Sequence, residues 1–94
     1  MELEQLRVFR AAADCGNFSE AARRFYISPS TVSRAVGALE EELGVRLFTR
    51  GNRVFSLTRA GEALLKESEA LLAAAAEAAA RVRAAGEEDS DAVL

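Results

Sequence analysis

The chain has 94 residues, half of them apolar, and a formal net charge of −3 at pH 7. This length supports one small domain with a limited core, so a partner surface is expected to add to its stability. The chain contains no histidine and a single cysteine, which excludes a disulfide framework and any Cys/His catalytic or metal site within one chain. We therefore predict that the protein is not an enzyme and needs no metal or cofactor.

No segment has the pattern of a secretory signal or a membrane anchor. The first residues, Met-Glu-Leu-Glu, lack the basic leader of a signal peptide. The apolar run at 71–80 is interrupted by Glu77 and is shorter than the ~20 residues that cross a bilayer. Cys15 is expected to be a small buried thiol near the end of the first helix. We predict a cytoplasmic protein that does not bind membranes.

Charge is distributed unevenly along the chain. Residues 22–59 carry seven arginines and three glutamates, whereas residues 60–94 carry three basic and eight acidic residues. A basic patch attracts nucleic-acid phosphates, and an acidic segment is repelled by them. The pattern predicts one end of the molecule that contacts DNA and another end that is held away from it.

Two short helices are predicted in the first 25 residues. Apolar residues recur on one helical face over residues 2–15, and Gly16 then ends that helix. Ser19 is the expected N-cap of the second helix, which places Arg23 and Arg24 on its outer face. The side chains predicted to face inward are Leu3, Leu6, Phe9, Ala12, Ala13, Ala21, Ala22 and Phe25.

A third helix is predicted over residues 29–43. Ser28 is a suitable N-cap, Pro29 has the backbone geometry favoured at the first helical position, and Gly44 ends the helix. The three consecutive glutamates at 40–42 point in different directions around the helix and are expected to face solvent. The apolar stripe consists of Val32, Val36, Leu39 and Leu43.

The opposite side of the third helix carries short hydroxyl side chains and an arginine, namely Ser30, Thr31, Ser33 and Arg34. Short side chains allow close approach to a DNA groove, and arginine can form two parallel hydrogen bonds with guanine or a phosphate. The solvent-facing side of a small helical bundle could have the same composition. Nevertheless, this helix is the second of two that are joined by a three-residue turn, and it begins with small hydroxyl residues and an arginine. That arrangement is typical of the helix-turn-helix that binds the major groove.

A β-hairpin is predicted after the third helix. Apolar and polar residues alternate over residues 45–57 on both sides of Gly51-Asn52, a favoured turn pair. Phe55 and Leu57 share one face and are expected to pack on the helices with Leu47 or Phe48.

The tip of this hairpin carries Arg50 and Arg53. Beside a recognition helix, such a tip is a wing whose arginines reach phosphates or an adjacent minor groove. The alternative is that these arginines only protect the strand edge, because charged side chains also serve that purpose.

A long fourth helix is predicted over residues 59–85, with Thr58 as its N-cap. At ~1.5 Å per residue it is roughly 40 Å long, more than a domain made of residues 1–58 can cover. Its apolar residues follow heptad spacing, and a single helix that exposes such a stripe is marginal in water. We predict a homodimer, or pairing with another helix, through Leu64, Leu65, Ser68, Leu71, Leu72, Ala75, Ala78, Ala79 and Val82.

The last segment, residues 86–94, is predicted to be an acidic hinge or a disordered tail. Its four acidic residues leave too little apolar surface to bury. The predicted fold class is mostly α: residues 1–58 form a winged helix-turn-helix of three helices and a β-hairpin, followed by a long dimerisation helix over 59–85.

Residues 1–65 resemble the DNA-binding domain of LysR-type transcriptional regulators. The matching residues are Leu3, Leu6, Phe9, Phe18, Ala21, Ala22, the run 28–43 with Ser33-Arg34 and Leu39-Glu40, Gly44, Leu47, Phe48, Arg50, Arg53, Leu57, Thr58, Ala60 and Gly61. The alanine-rich helix is similar to the family's linker helix in placement and length.

The resemblance implies a bacterial regulator that dimerises through the linker helix and binds an inverted-repeat promoter site on double-stranded DNA. It also implies that the recognition helix enters the major groove and that the wing arginine lies along the minor groove. By position, Ser33 and Arg34 would contact bases or backbone, and Arg53 would be the wing residue. The predicted DNA-binding set is completed by Ser28, Pro29, Ser30 and Thr31 at the helix start and by Arg50.

The chain departs from the family pattern in three respects. Pro29 stands where the family most often has glutamine, so an amide that reads base edges is missing. Ala35, Gly37 and Ala38 stand where polar or basic residues are usual, which predicts fewer phosphate contacts. The family's effector-binding domain is absent from these residues, so any small-molecule sensing lies outside them.

Two rival functions come from different classes. A winged helix used only for protein contacts, with the fourth helix as a docking coiled coil, predicts no salt-dependent affinity for DNA. A catalytic fragment is disfavoured because no paired carboxylates or activated nucleophile converge in the predicted fold.

Overall fold

The computed structural model describes residues 1–49 and 55–88. These residues form four helices: α1 (Leu3–Cys15), α2 (Phe18–Phe25), α3 (Pro29–Leu43) and α4 (Arg59–Glu88). The chain is therefore mostly helical, as predicted. The predicted hairpin tip with Arg50 and Arg53 lies outside the described residues, as do residues 89–94.

α1 is the central helix, since it packs against each of the other three. The buried side of α1 is therefore wider than the one apolar face that the sequence predicts for this helix. The buried residues are Leu6, Val8, Phe9, Ala11 and Ala12. Leu3, which was predicted to face inward, is 42% exposed because it lies in the first turn, at the edge of the packed elements. Gly16 ends the helix in the left-handed conformation, with φ of 79°, as predicted.

The N-cap of α2 lies two residues before the predicted one. Asn17, not Ser19, is the N-cap: its side-chain oxygen accepts the Glu20 N–H at 2.7 Å. Asparagine and serine are equally good N-caps, so Asn17, which precedes Ser19 in the chain, caps the helix. The earlier start brings Phe18 into the first turn, where its ring packs on Phe48 at 5.6 Å between centroids.

α3 has the predicted bounds and caps. The Ser28 hydroxyl accepts the Thr31 N–H at 3.2 Å, Pro29 stands at the first helical position, and Gly44 ends the helix with φ of 70°. Val32, Val36 and Leu39 are fully buried, as their spacing predicts. Two predictions for the last turn are wrong: Leu43 is exposed and Glu40 is buried. The chain reverses at Gly44 and returns over Glu40, which leaves Leu43 outside.

The segments before and after the predicted hairpin tip are paired. Phe48 and Leu57 form an antiparallel β-bridge, and the Thr49 N–H donates to the Ser56 carbonyl at 2.9 Å. Within residues 1–49 and 55–88 this pairing is an isolated bridge and not an extended strand. The sequence predicted that either Leu47 or Phe48 would pack on the helices together with Phe55 and Leu57. Leu47 and Phe48 are both buried.

Four aromatic rings hold these segments against the helices. Phe48 lies 5.5 Å from Phe9 of α1 and 4.7 Å from Phe55, and Phe55 lies 5.6 Å from Phe18 of α2. Tilted and edge-to-face pairs at these distances contribute about 0.5–1.5 kcal/mol each beyond their buried area. The base of the predicted wing is therefore part of the core.

α4 begins at its predicted cap and runs past its predicted end. The Thr58 hydroxyl accepts the Gly61 N–H at 3.0 Å. The helix continues to Glu88, three residues beyond the predicted end at Ala85, and includes Gly86 of the predicted hinge. No helix in the described part of the chain is long and apolar enough to cross a membrane.

The amino group of Met1 pairs with the Glu42 carboxylate in the last turn of α3, with 2.8 Å between nitrogen and Oε1. The hydrogen bond to Glu42 raises the pKa of the amino group above its ordinary value of 8.0. Because the folded pKa is the higher one, the pair stabilises the fold fully below pH 8.0 and this contribution is lost as the pH rises through the folded pKa. The loss is small, since both groups are exposed to solvent.

We expect the free energy of unfolding in urea to fall more steeply with pH above 8.0 in the wild type than in Glu42→Gln. The same pH dependence in both proteins would show that the pair does not form in solution.

Candidate nucleic-acid interface

The start of α3 presents a polar surface on the side opposite to its buried stripe. Ser28, Pro29, Ser30, Ser33 and Arg34 are exposed, and Thr31 is half-buried. This exposure follows from helical spacing, because the buried positions 32, 36 and 39 occupy the other side. Every predicted DNA-binding residue of α3 thus lies at an accessible helix end.

Hydrogen bonds link these side chains into one cluster. The Ser28 hydroxyl lies 3.0 Å from the Ser30 hydroxyl and 2.8 Å from the Thr31 hydroxyl. The Thr31 hydroxyl also accepts a hydrogen bond from an Arg34 guanidinium nitrogen at 3.3 Å. Arg34 is therefore held along the first turn of α3, and its other guanidinium N–H groups remain available for an acceptor. We call these four residues the hydroxyl–arginine cluster.

The exposed face of α3 changes character along its length. The hydroxyl–arginine cluster is followed by Gly37, which has no side chain, and by Ala38, which has only a methyl group, so the middle of the face is open. The last turn exposes Glu41 and Glu42. Partial positive charge at the helix N-terminus adds to the charge of Arg34, so an anion is favoured at the start of α3 and disfavoured at its end.

A short turn sets α2 against α3. Tyr26 ends α2 in the left-handed conformation, with φ of 56°, and the Ile27 N–H donates to the Ala22 carbonyl at 3.0 Å. Since Ser28 already caps α3, the link consists of the three residues that were predicted. Two helices joined in this way, with a polar second helix start, define a helix-turn-helix protein of the DNA-binding class.

Glu40 is a positioning residue that sequence reasoning missed. Its side chain is 9% exposed, and Oε2 accepts the Leu47 N–H at 2.8 Å. The Arg46 guanidinium lies 3.9 Å from Oε1 at the surface. Helical spacing indicates the burial of Glu40, because position 40 follows the buried Val36 by four residues and lies on the same side of α3.

The predicted dimer stripe of α4 is partly buried in the core of its own chain and partly accessible to solvent. Leu64 and Ser68 are buried in the protomer's own core, where α4 packs on α1, so their side chains are not accessible to a partner. This revises the predicted interface. Half-buried positions at the edge of that contact are Leu65, Leu72, Ala75 and Ala79, and exposed positions are Leu71, Ala78 and Val82.

Comparison with known proteins agrees with this architecture. The family described as "Bacterial regulatory helix-turn-helix protein, lysR family" matches residues 3–62. The chain belongs to this family and contains its helix-turn-helix DNA-binding domain.

Individual relatives match over most of the chain. The HTH-type transcriptional regulator TfdS of Cupriavidus pinatubonensis (strain JMP 134 / LMG 1197) is 47% identical over 85 residues, which cover 90% of this chain and 29% of TfdS. The chain therefore spans less than a third of the length of that relative.

Two solved structures of DNA complexes share the fold. The CbnR_DBD–DNA complex has a TM-score of 0.85 at 41% identity and covers 92% of this chain and 99% of that one. The BenM_DBD/benA site 1 DNA complex also has a TM-score of 0.85, at 31% identity, and covers 92% of this chain and 97% of that one.

Proposed function

We propose that this chain binds an inverted-repeat promoter site as a symmetric homodimer and regulates transcription in a bacterial cytoplasm. The observation that carries the proposal is the hydroxyl–arginine cluster, exposed at the start of the second helix of a helix-turn-helix. Recognition helices present their N-terminal residues to base edges in the major groove. The cluster occupies that place in α3.

The chemistry of the cluster suits a base-reading surface. Arg34 supplies two parallel donors that match the O6 and N7 acceptors of guanine. Ser30 of the cluster, and the exposed Ser33 beside it, are short donors and acceptors that allow close approach to a groove. Pro29 has no N–H, so the first turn offers one backbone donor fewer to a phosphate, and side-chain hydroxyls take a larger share of the contacts.

A wing completes the proposed DNA-binding surface. We propose a β-hairpin over residues 46–57, supported by the antiparallel bridge between Phe48 and Leu57 and by the Thr49–Ser56 hydrogen bond. Arg50 and Arg53 would stand at its tip and contact phosphates or the minor groove.

The proposed dimer forms through α4. Apolar side chains remain accessible along this helix after it has packed on α1, and Leu71 and Val82 are 41% and 71% exposed. Two α4 helices that covered these side chains would place two α3 helices on half-sites about one helical turn apart, or a multiple of it. The proposed surface consists of Leu65, Leu71, Leu72, Ala75, Ala78, Ala79 and Val82.

We propose that residues 1–58 form the DNA-binding unit and that the linker helix follows Thr58. Because TfdS is more than three times as long as the matched region, we also propose that the whole protein carries an effector-binding domain beyond these residues.

The first experiment is selection of duplexes from a random-sequence library by the purified chain. We expect an enriched site with twofold symmetry and an affinity that falls steeply with salt. A chain that selects no sequence and shows no salt-dependent binding would instead support the rival function, a winged helix used for protein contacts.

Replacing Leu71 by glutamate is expected to produce monomers. The new carboxylates would be buried opposite each other at the dimer surface, where burial of unpaired charge is costly. Sedimentation equilibrium of the variant measures this directly. Ala73→Glu is the matched control, because Ala73 is exposed about 200° away around the same helix and should leave the dimer intact. A Leu71→Glu protein that remains dimeric would place the interface elsewhere.

Replacing Arg53 by alanine is expected to lower the slope of log affinity against log salt by about one unit, because one phosphate contact is lost. Arg81→Ala is the control: Arg81 lies on α4 and pairs with Glu77 at 3.6 Å, away from the proposed DNA surface. An unchanged slope for Arg53→Ala would remove the wing from the DNA contact.

A further inference from the structure

The recognition helix and the linker helix do not pack on each other. No Cα atom of α3 lies within 8 Å of a Cα atom of α4. They are connected by α1, which packs on both, and by the segment that links them in the chain. The angle between α3 and α4 therefore depends on these two connections.

The linking segment carries a continuous set of hydrogen bonds from one helix to the other. Glu40 of α3 accepts the Leu47 N–H at 2.8 Å, and the Leu47 carbonyl accepts the Thr58 N–H at 3.0 Å. The Thr58 hydroxyl donates to the Arg46 carbonyl and accepts the Gly61 N–H of α4 at 3.0 Å. We call Glu40, Arg46, Leu47, Thr58 and Gly61 the α3–α4 latch.

The latch is close-packed, and its Glu40–Leu47 part is buried. Leu47 is fully buried and Glu40 nearly so, which strengthens the Glu40–Leu47 hydrogen bond relative to an exposed one, whereas the Thr58–Arg46 hydrogen bond is exposed to solvent. Gly61 lies so close that a Cβ on it would stand 2.1 Å from the Leu47 carbonyl oxygen. The first turn of α4 is therefore seated directly on the segment that Glu40 holds.

The contact between α1 and α4 restrains the angle less specifically. It consists of apolar packing around Leu64 and an Arg10–Glu69 ion pair at 3.8 Å, which is exposed. Apolar contact has no directional preference, and exposed ion pairs contribute little. The latch hydrogen bonds, in contrast, are directional and restrain the orientation of α4 more specifically.

Small rotations at this point have large effects on the dimer. α4 has 30 residues. Val82, the last residue of the proposed dimer surface, lies about 35 Å along α4 from Arg59, and a rotation of about 6° at the start of the helix moves it by about 3.6 Å. This exceeds the ~3.4 Å rise per base pair of DNA.

We propose that the α3–α4 latch determines the half-site spacing that the dimer accepts. Glu40 and Thr58 are positioning residues in this scheme: neither contacts DNA, and both act through the orientation of α4. This inference rests on the proposed function, because it requires a dimer on an inverted repeat.

The test compares Thr58→Val, which removes the hydroxyl at nearly constant shape, with Thr58→Ser, which keeps it. The probes are the inverted repeat selected by the wild type, the same repeat with one or two base pairs added or removed between the half-sites, and a single half-site. Circular dichroism and sedimentation establish that each variant is folded and dimeric.

Wild type and Thr58→Ser should lose about 100-fold in affinity when the spacing is wrong, since simultaneous engagement of both half-sites is lost. Thr58→Val should lose about tenfold or less, because a looser α4 accommodates more spacings. Its affinity for the single half-site should stay within about twofold of the wild type, because α3 is unchanged. A merely structural role of Thr58 would weaken binding to all probes alike.

A folded, dimeric Thr58→Val protein with the wild-type spacing preference would overturn the inference and leave the proposed function intact. If the wild type itself selects no inverted repeat, the proposed function fails instead. Glu40→Met provides a second variant, because it leaves the Leu47 N–H without its acceptor, and it should broaden the spacing preference in the same way.

Hydrogen exchange on the wild-type protein tests the latch without any substitution. The Leu47, Thr58 and Gly61 amides should be protected as strongly as the buried amides of α1. Exchange of all three at the rate of an unstructured peptide would show that the latch is open in solution and would overturn the inference even if both variants failed to fold.

Discussion

Replacing Gly61 by alanine is expected to destabilise the protein by about 3 kcal/mol or more, at the upper end of the range for overpacking a core. A Cβ at this position would stand 2.1 Å from the carbonyl oxygen of Leu47 and 2.8 Å from a methyl carbon of Leu57. The Leu57 side chain can rotate away, but the Leu47 carbonyl cannot, because it accepts the Thr58 N–H. The start of α4 would have to lift off the domain.

Gly37→Ala is the matched control for this experiment. Gly37 is also inside a helix, but a Cβ there meets nothing within 4 Å. Alanine should therefore stabilise that site by roughly 0.5–1 kcal/mol through helix propensity alone. Urea unfolding of the two variants separates the clash from the propensity. A Gly61→Ala protein as stable as the wild type would mean that α4 does not begin against Leu47.

Replacing Arg34 by alanine is expected to weaken binding to the selected DNA site by ~1–3 kcal/mol, which is about 5- to 150-fold in affinity. The physical reason is the loss of a two-donor contact to a base, which no neighbouring serine can replace. The Thr31 hydroxyl holds the Arg34 guanidinium at 3.3 Å in the free protein, so little side-chain entropy is lost on binding. Fluorescence anisotropy with the selected duplex and a scrambled duplex measures both affinities.

The two duplexes distinguish the possible roles of Arg34. A larger loss on the selected duplex identifies a base contact, whereas equal losses on both identify a phosphate contact only. Arg83→Ala, on the exposed far half of α4, controls for the general loss of positive charge and should have little effect. No change on either duplex would mean that the start of α3 does not contact DNA.

The parts of the fold that depend on local chemistry could be predicted from the sequence. Ser28, Gly44 and Thr58 mark helix ends because a capping hydroxyl or a left-handed glycine acts within four residues of itself. The three-residue turn and the exposed face of α3 follow from the same local spacing. Asn17 shows the limit of this reasoning, since a second capping residue nearby was enough to shift the start of α2.

The features that depend on distant contacts could not be predicted. Glu40 is buried because Leu47 returns over it, and Leu64 and Ser68 are buried because α1 lies beside α4. An isolated heptad stripe does not reveal whether its partner is the same chain or another copy. For this reason the sequence predicted an apolar contact surface on α4 but overestimated the part left for a dimer.

The acidic last turn of α3 favours one direction in which this helix can enter a DNA groove. Glu41 would meet phosphates if the helix entered a groove with its other end first, and like charges at short range repel; Glu42 beside it is paired with the Met1 amino group. In the proposed dimer, each copy of the chain would therefore bind its half-site in one direction only. Two copies related by a twofold axis would read their half-sites in opposite directions, so we expect a tandem repeat in the same direction to engage only one of the two proposed DNA-binding units.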